Sequence, residues 1–228
     1  MGPIRALIFD VDGTLAETEE AHRAAFNAVF ANEKLGWTWD VDRYRDLLRT
    51  TGGKERIARY LAEEGLGLPP ERIAALHRMK NDVYMEIVRG GGAPLRPGVA
   101  DLIAEARDAG LRLAICTTTS RVNVETLLDV ALGPDERALF SPIVAGEDVA
   151  AKKPAPDAYV LAVARLGLPA AQCLALEDSR NGVLAAVAAG VAVVACPSLY
   201  TAQETFVGAL AVVDDWRRLD WRSLAQSR

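Results

Sequence analysis

Asp10 and Asp12 stand two residues apart in Phe9-Asp-Val-Asp-Gly-Thr14, directly after the apolar run Ile4-Arg5-Ala6-Leu7-Ile8. Such a run reads as a buried parallel strand, so both carboxylates fall where it ends, at the carboxyl edge of a sheet. Open α/β sheets bind their ligands at that edge. Side chains two apart share one side of an extended backbone unless the chain turns between them, and Gly13 has the freedom for that turn. Two neighbouring carboxylates repel; they are tolerated when a cation sits on them or one stays protonated. The chemistry that fits is a Mg2+ site with an aspartate free to attack phosphorus. Taken alone, the same residues also make an acidic surface turn.

Polar groups recur after the later apolar runs. Cys116-Thr117-Thr118-Thr119-Ser120 offers hydroxyls and turn N–H groups to an anion, or a plain helix cap through Thr119 or Ser120. In Ala151-Lys152-Lys153-Pro154-Ala155-Pro156-Asp157 the prolines hold the chain extended. A lysine fixed there is a point charge for phosphate, or part of a solvated basic turn. Glu177-Asp178-Ser179 puts two acids straight after the apolar Cys173 to Leu176, which is costly unless a cation joins them. The alternative is an acidic helix start capped by Asp178 or Ser179. Each alternative stands by itself, but four polar clusters at one sheet edge argue for a site.

Strands must position these residues. Residues 18 to 89 show helical periodicity and no strand: Ala21, Ala24, Ala25, Ala28 and Val29 share one helix face, and 45–50 and 54–62 read as short helices. A long helix opens at Pro69-Pro70-Glu71 and runs to Val88, with proline where a lost N–H costs little. Gly90-Gly-Gly-Ala-Pro94 is a joint. Helices then alternate with strands at 112–116, 143–144, 173–176 and 191–194, with 211–213 a further edge strand. That alternation implies a Rossmann-like parallel sheet with right-handed crossovers. The expected organisation is a core of residues 1–16 and 93–228, split after its first strand by an all-helical cap of residues 17–92. Two connections between the parts let the cap act as a lid that excludes water.

Composition narrows the function classes. The chain has 228 residues, half of them hydrophobic and a quarter charged, with a net charge of −5. Nucleic-acid binders concentrate positive charge, so no nucleic-acid partner is expected, and an anionic substrate needs a local basic patch and a metal. Cys116, Cys173 and Cys196 lie in apolar runs and read as buried reduced thiols. Met1 to Arg5 lacks the basic and apolar regions of a signal peptide, and no apolar stretch reaches the ~18 residues of a membrane helix. The expectation is a soluble, cytoplasmic monomer that acts on a small molecule and has no membrane partner.

In the cap, Glu17, Glu19, Glu20 and His22 lie on the first helix. The loop Leu48-Arg-Thr-Thr-Gly-Gly-Lys-Glu-Arg56 lets backbone approach a ligand closely, and Lys54 can hold a second anionic group or be a solvated lysine after a cap. His22 faces the cleft or is structural, and Tyr44 contacts ligand or packs beneath Trp37 and Trp39. Trp37, Trp39 and His77 have no special claim.

The order Asp10-Val-Asp12-Gly-Thr, Thr117, Lys153-Pro-x-Pro-Asp157 and Glu177-Asp178 resembles the haloacid dehalogenase (HAD) superfamily with a helical cap. The resemblance implies Asp10 as nucleophile and Asp12 as the acid, then base. It implies Thr117, the N–H of Thr118 and Lys153 around the phosphoryl group. It implies Mg2+ held by Asp10, the Asp12 carbonyl and Asp178, with Glu177 in support. Phe9 to Glu20, Thr50-Thr-Gly-Gly-Lys-Glu-Arg-Ile57 and Thr117-Thr-Thr-Ser120 further resemble the CbbY group of phosphatases. That implies xylulose-1,5-bisphosphate as substrate and Glu19, His22, Tyr44, Gly53 and Lys54 as contacts; Arg49 and Arg121 have no place in the pattern. A β-phosphoglucomutase-like enzyme shares the cap type, Thr18 and the histidine at 22, but carries an arginine where Lys54 stands. A non-catalytic phospho-ligand binder has no use for Asp12.

Overall fold

The computed structural model describes residues 3–224, so positions 1–2 and 225–228 of the expected core lie outside the described residues. Strands β1 (Ala6–Phe9), β2 (Arg112–Cys116), β3 (Phe140–Val144), β4 (Cys173–Glu177), β5 (Ala192–Ala195) and β6 (Ala211–Val212) form one sheet in the order β3-β2-β1-β4-β5-β6. Every pairing is parallel. The chain winds outward one way from β1 through β2 to β3 and the other way from β4 to β6. The carboxyl end of β1 is therefore the switch point, where a crevice opens.

The two faces of the sheet differ in bulk. Leu7, Phe9, Leu113, Ile115, Leu174 and Leu176 fill one face beneath α5 (Val99–Asp108) and α6 (Arg121–Ala131). Ala6, Ala114, Ala175 and Ala195 line the other, so α8 (Asp157–Leu166) and α9 (Arg180–Ala188) settle close against it through Ala158, Ala162, Ala185 and Ala186. The four-residue α7 (Pro134–Arg137) precedes β3. Cys116, Cys173 and Cys196 are buried and unbridged, as their apolar surroundings predict. No helix among the described residues is long and apolar enough to cross a membrane.

Helices α1 (Glu19–Asn32), α2 (Val41–Leu47), α3 (Gly53–Glu63) and α4 (Pro70–Arg89) lie between β1 and α5 and pack around their own aromatic cluster of Phe26, Phe30, Trp39, Tyr44 and Tyr60. One side chain of the sheet domain joins that cluster: Tyr200, from the loop after β5, meets the Tyr44 ring edge-on at 5.5 Å. The chain passes to and from these helices on two adjacent segments, bridged at Ala16 and Leu95. Helix α2 starts earlier than the expected 45–50. Asp40 caps it by accepting the Arg43 N–H at 2.7 Å, which moves the helix to Val41–Leu47 and leaves 48–52 as loop.

Candidate active site

Register brings the polar strand ends together. Phe9 pairs with Ile115 and with Leu176, so Asp10, Cys116 and Glu177 stand at one level, and the Asp10 N–H donates to the Leu176 carbonyl at 3.0 Å. Lys153, buried, donates to Asp10 Oδ1 at 2.7 Å, to Glu177 Oε1 at 2.5 Å and to the Cys116 carbonyl at 2.8 Å. The Tyr159 hydroxyl donates to the same Glu177 oxygen at 2.7 Å. Asp10, Glu177 and Asp178 each offer an oxygen within 4.8 Å of the others. Glu177 thus belongs to the carboxylate group itself, where the sequence expected it in support.

One ammonium does not balance three buried carboxylates. Burial foremost raises Asp10 to about 8 against the pull of Lys153, and burial with Asp10 alongside drives Asp178 well above the carboxylate range. Glu177 Oε2 is buried with no hydrogen-bond partner. Three crowded, underpaired carboxylates that each bring an oxygen to one place are what a small divalent cation such as Mg2+ satisfies, so the residues fit one. Ser179, and not Asp178, caps α9 by accepting the Gly182 N–H at 3.1 Å, which leaves Asp178 for the site.

Asp12 faces the other way. Thr18 occupies the N-cap of α1 but makes no side-chain cap bond there; its hydroxyl donates to Asp12 Oδ1 at 2.6 Å. His22 Nε2 lies 2.9 Å from the same oxygen, and His22 Nδ1 lies 2.5 Å from Lys80 Nζ. Lys80 has protons to give and Nδ1 a lone pair, so the chain of donors runs Lys80 to His22 to Asp12. Burial would raise Asp12, but His22 and Thr18 hold it at about 2. Burial and then Lys80 lower His22, which fits a neutral ring donating through Nε2. The imidazole stacks on Tyr84 with ring centres 4.0 Å apart. Burial brings Lys80 itself down to about 7. With its carboxylate turned to the cap, Asp12 stands outside the three-carboxylate group and has its main-chain carbonyl left for a cation.

A cavity of about 630 Å³ joins this edge to the cap. Asp10, Asp12, Asp178 and Lys153 line its floor, and Gly53, Lys54, His77, Arg78 and Lys80 its roof. His77 is the residue the sequence passed over. It sits against Gly53, where any Cβ would run into the ring, and burial with Lys80 and Lys54 nearby brings it to about 3. Its signal was one turn of helix away: Leu76, Lys80, Tyr84 and Val88 form the buried stripe of α4, and a lysine inside such a stripe is out of place.

The cap is closed. Thr51 Oγ1 donates to the Lys153 carbonyl at 2.6 Å, Lys152 pairs with Glu55 at 2.7 Å, and Asn181 Nδ2 reaches the Arg49 carbonyl at 3.3 Å. Thr118, Thr119 and Ser120 line the cavity, whereas Thr117 is buried behind them with its hydroxyl accepting the Thr119 N–H at 3.2 Å. Glu19 and His22 also line it. Tyr44 does not, contrary to expectation. It is fully buried in the aromatic cluster, donates to Glu19 Oε2 at 2.8 Å and accepts from Arg56 at 2.9 Å, so it acts behind Glu19. Arg121 is tied to Asp148 at 2.7 Å and to the Ile143 carbonyl. Arg49 is largely exposed, 3.7 Å from Asp46.

The model for haloacid dehalogenase-like hydrolases matches residues 4–190. Protein CbbY of Rhodobacter capsulatus is 51% identical over 222 residues, 97% of this chain and 96% of that protein. A crystal structure of CbbY from Rhodobacter sphaeroides in complex with phosphate superposes with a TM-score of 0.91 at 50% identity, covering 95% of this chain and 96% of that one. A mutant of that CbbY in complex with xylulose-(1,5)bisphosphate gives 0.91 at 49% identity, with the same coverage.

Proposed function

Because the chain belongs to the haloacid dehalogenase-like hydrolases, we propose that it is a Mg2+-dependent phosphatase that hydrolyses a sugar bisphosphate, xylulose-1,5-bisphosphate, through an aspartyl-phosphate on Asp10. The observation that carries this reading is the cavity itself, which joins Asp10, Lys153 and Asp178 on its floor to Lys54 in its roof. A cation held by Asp10, Glu177, Asp178 and the Asp12 carbonyl would keep Asp10 ionised and draw charge from the phosphoryl oxygens.

Asp10 attacks phosphorus, and the sugar oxygen leaves with a proton from Asp12. Water activated by the same Asp12, now a base, then releases phosphate. The Lys80–His22 chain supports both tasks, since it can return a proton to a carboxylate that otherwise rests ionised. Lys153 offsets the charge gathered between Asp10 and the phosphoryl group, as its bond to Asp10 permits. Thr118, at the cavity wall, offers its N–H to the phosphoryl oxygens. In the roof, Lys54, beside the close approach of Gly53 to His77, takes the second phosphate, while Glu19 and His22 face the sugar. Residues 17–92 are the lid in this scheme and residues 93–228, with 1–16, the catalytic body.

Phosphate release from xylulose-1,5-bisphosphate, ribulose-1,5-bisphosphate, fructose-1,6-bisphosphate and β-glucose-1-phosphate tests the proposal. Turnover should favour the first, stop with EDTA and return with Mg2+. Phosphate moved to another carbon of the sugar, without release, would make the enzyme a mutase.

A further inference from the structure

Arg96 follows the joint between the helical insertion and α5, and its side chain is buried, 8% exposed, although it touches none of the cavity. Its guanidinium makes three hydrogen bonds to main-chain carbonyls and one ion pair. One terminal nitrogen donates to the Gly13 and Cys196 carbonyls, both at 2.6 Å, and the other to the Pro197 carbonyl at 2.9 Å. Nε lies 2.9 Å from Glu17 Oε1, on the segment leading into α1. The three carbonyls come from positions 83 to 101 residues away, so this one side chain joins the turn after β1 to the loop after β5.

Asp178 lies between those two segments. On one side is Gly13, at φ +79°, where a Cβ would collide with Asp178 Oδ2. On the other, Thr201 Oγ1 donates to that oxygen at 3.2 Å while accepting the Ser198 N–H at 2.8 Å. Cys196 N–H donates to the Glu177 carbonyl at 2.8 Å, so the loop that Arg96 grips also steadies the end of β4. We propose that Arg96 is a positioning residue for the cation site: its planar fork holds the two loops at the spacing that seats Asp178 beside Asp10. A lysine cannot do this, because three carbonyls and a carboxylate spread around one plane match a guanidinium and not a single ammonium.

The inference rests on the cation reading above, and the test separates the two. Arg96→Met, Arg96→Lys and Glu17→Gln are made in the full chain, with circular dichroism confirming the fold. Mg2+ binding is measured by calorimetry, and amide exchange is measured without metal. Arg96→Met should weaken Mg2+ binding tenfold or more and speed exchange at 13–16 and 196–201, leaving α1 to α4 unchanged. Arg96→Lys should fall between it and the wild type, and serves if the methionine variant does not fold. Glu17→Gln keeps the three carbonyl bonds and should bind Mg2+ within twofold of wild type.

The proposal is overturned if a folded Arg96 variant binds Mg2+ like the wild type, or if Glu17→Gln is as damaging. It also falls if exchange in the two loops does not change. Wild-type protein that binds no Mg2+ sinks the cation reading instead, while the exchange experiment still decides whether Arg96 couples the loops.

Discussion

At the sheet edge burial pushes acids toward protonation; across the same cavity burial pushes bases toward neutrality. Burial raises Asp10 to about 8 and carries Asp178 well above its ordinary value, whereas His77 is brought to about 3 and Lys80 to about 7. The floor sets one ammonium, Lys153, against the carboxylates of Asp10, Glu177 and Asp178, and the roof gathers Lys54, Arg78 and Lys80 around His77. A cation with a phosphoryl group relieves the floor, and a second anion relieves the roof. On the function proposed above, charge as well as shape would select a substrate with two separated phosphates, since a monophosphate leaves one wall unmatched.

Removing the proposed nucleophile is the hardest blow to that pairing. Asp10→Asn is expected to lower phosphate release at least about a thousandfold, while calorimetry still detects substrate binding. Lys153→Met comes next, because it strips the floor of its ammonium; breaking a buried pair costs about 3–5 kcal/mol. Its melting temperature should drop, and added Mg2+ should recover part of the loss. If Mg2+ recovers none of it, the carboxylates are not a cation site.

On the roof, Lys54→Ala should raise KM for the bisphosphate about tenfold or more, in line with a charged hydrogen bond of about 1.5–3 kcal/mol. KM for p-nitrophenyl phosphate should hardly move, and equal changes would remove Lys54 from the second-phosphate site. The last effect, small at neutral pH, is on stability against pH. The unfolded chain protonates His77 near 6.5 and the folded chain only near 3, so stability falls as pH drops through that window. The slope from one such proton is at most about 1.4 kcal/mol per pH unit. His77→Asn should flatten it in urea titrations.

The floor was legible because its residues end apolar runs, and strand register then leaves them no other place. Asp10 and Glu177 fall at one level because each follows one of the paired residues Phe9 and Leu176, and the Lys153 side chain reaches both from its loop. The roof was less so. His77 and Lys80 belong to a helix whose stripe looks like packing, and their partners, Gly53 and His22, lie 24 and 58 residues away. Tyr44 went astray in the opposite sense. A tyrosine near a binding loop reads as a contact, yet the rings of Phe26, Trp39 and Tyr200 around it, invisible as a sequence pattern, make it core. Arg96 was hidden because its partners are main-chain carbonyls, which every sequence has everywhere.

The indole of Trp216 donates to the Thr14 carbonyl at 3.0 Å, in the turn that follows the nucleophile. During synthesis Asp10 leaves the ribosome long before Trp216, so that turn gains this donor late. β1 also waits for β4 before its second edge is covered. The nascent chain therefore carries a reactive carboxylate long before it carries an enzyme, and chains cut short of Trp216 should remain in that unfinished condition.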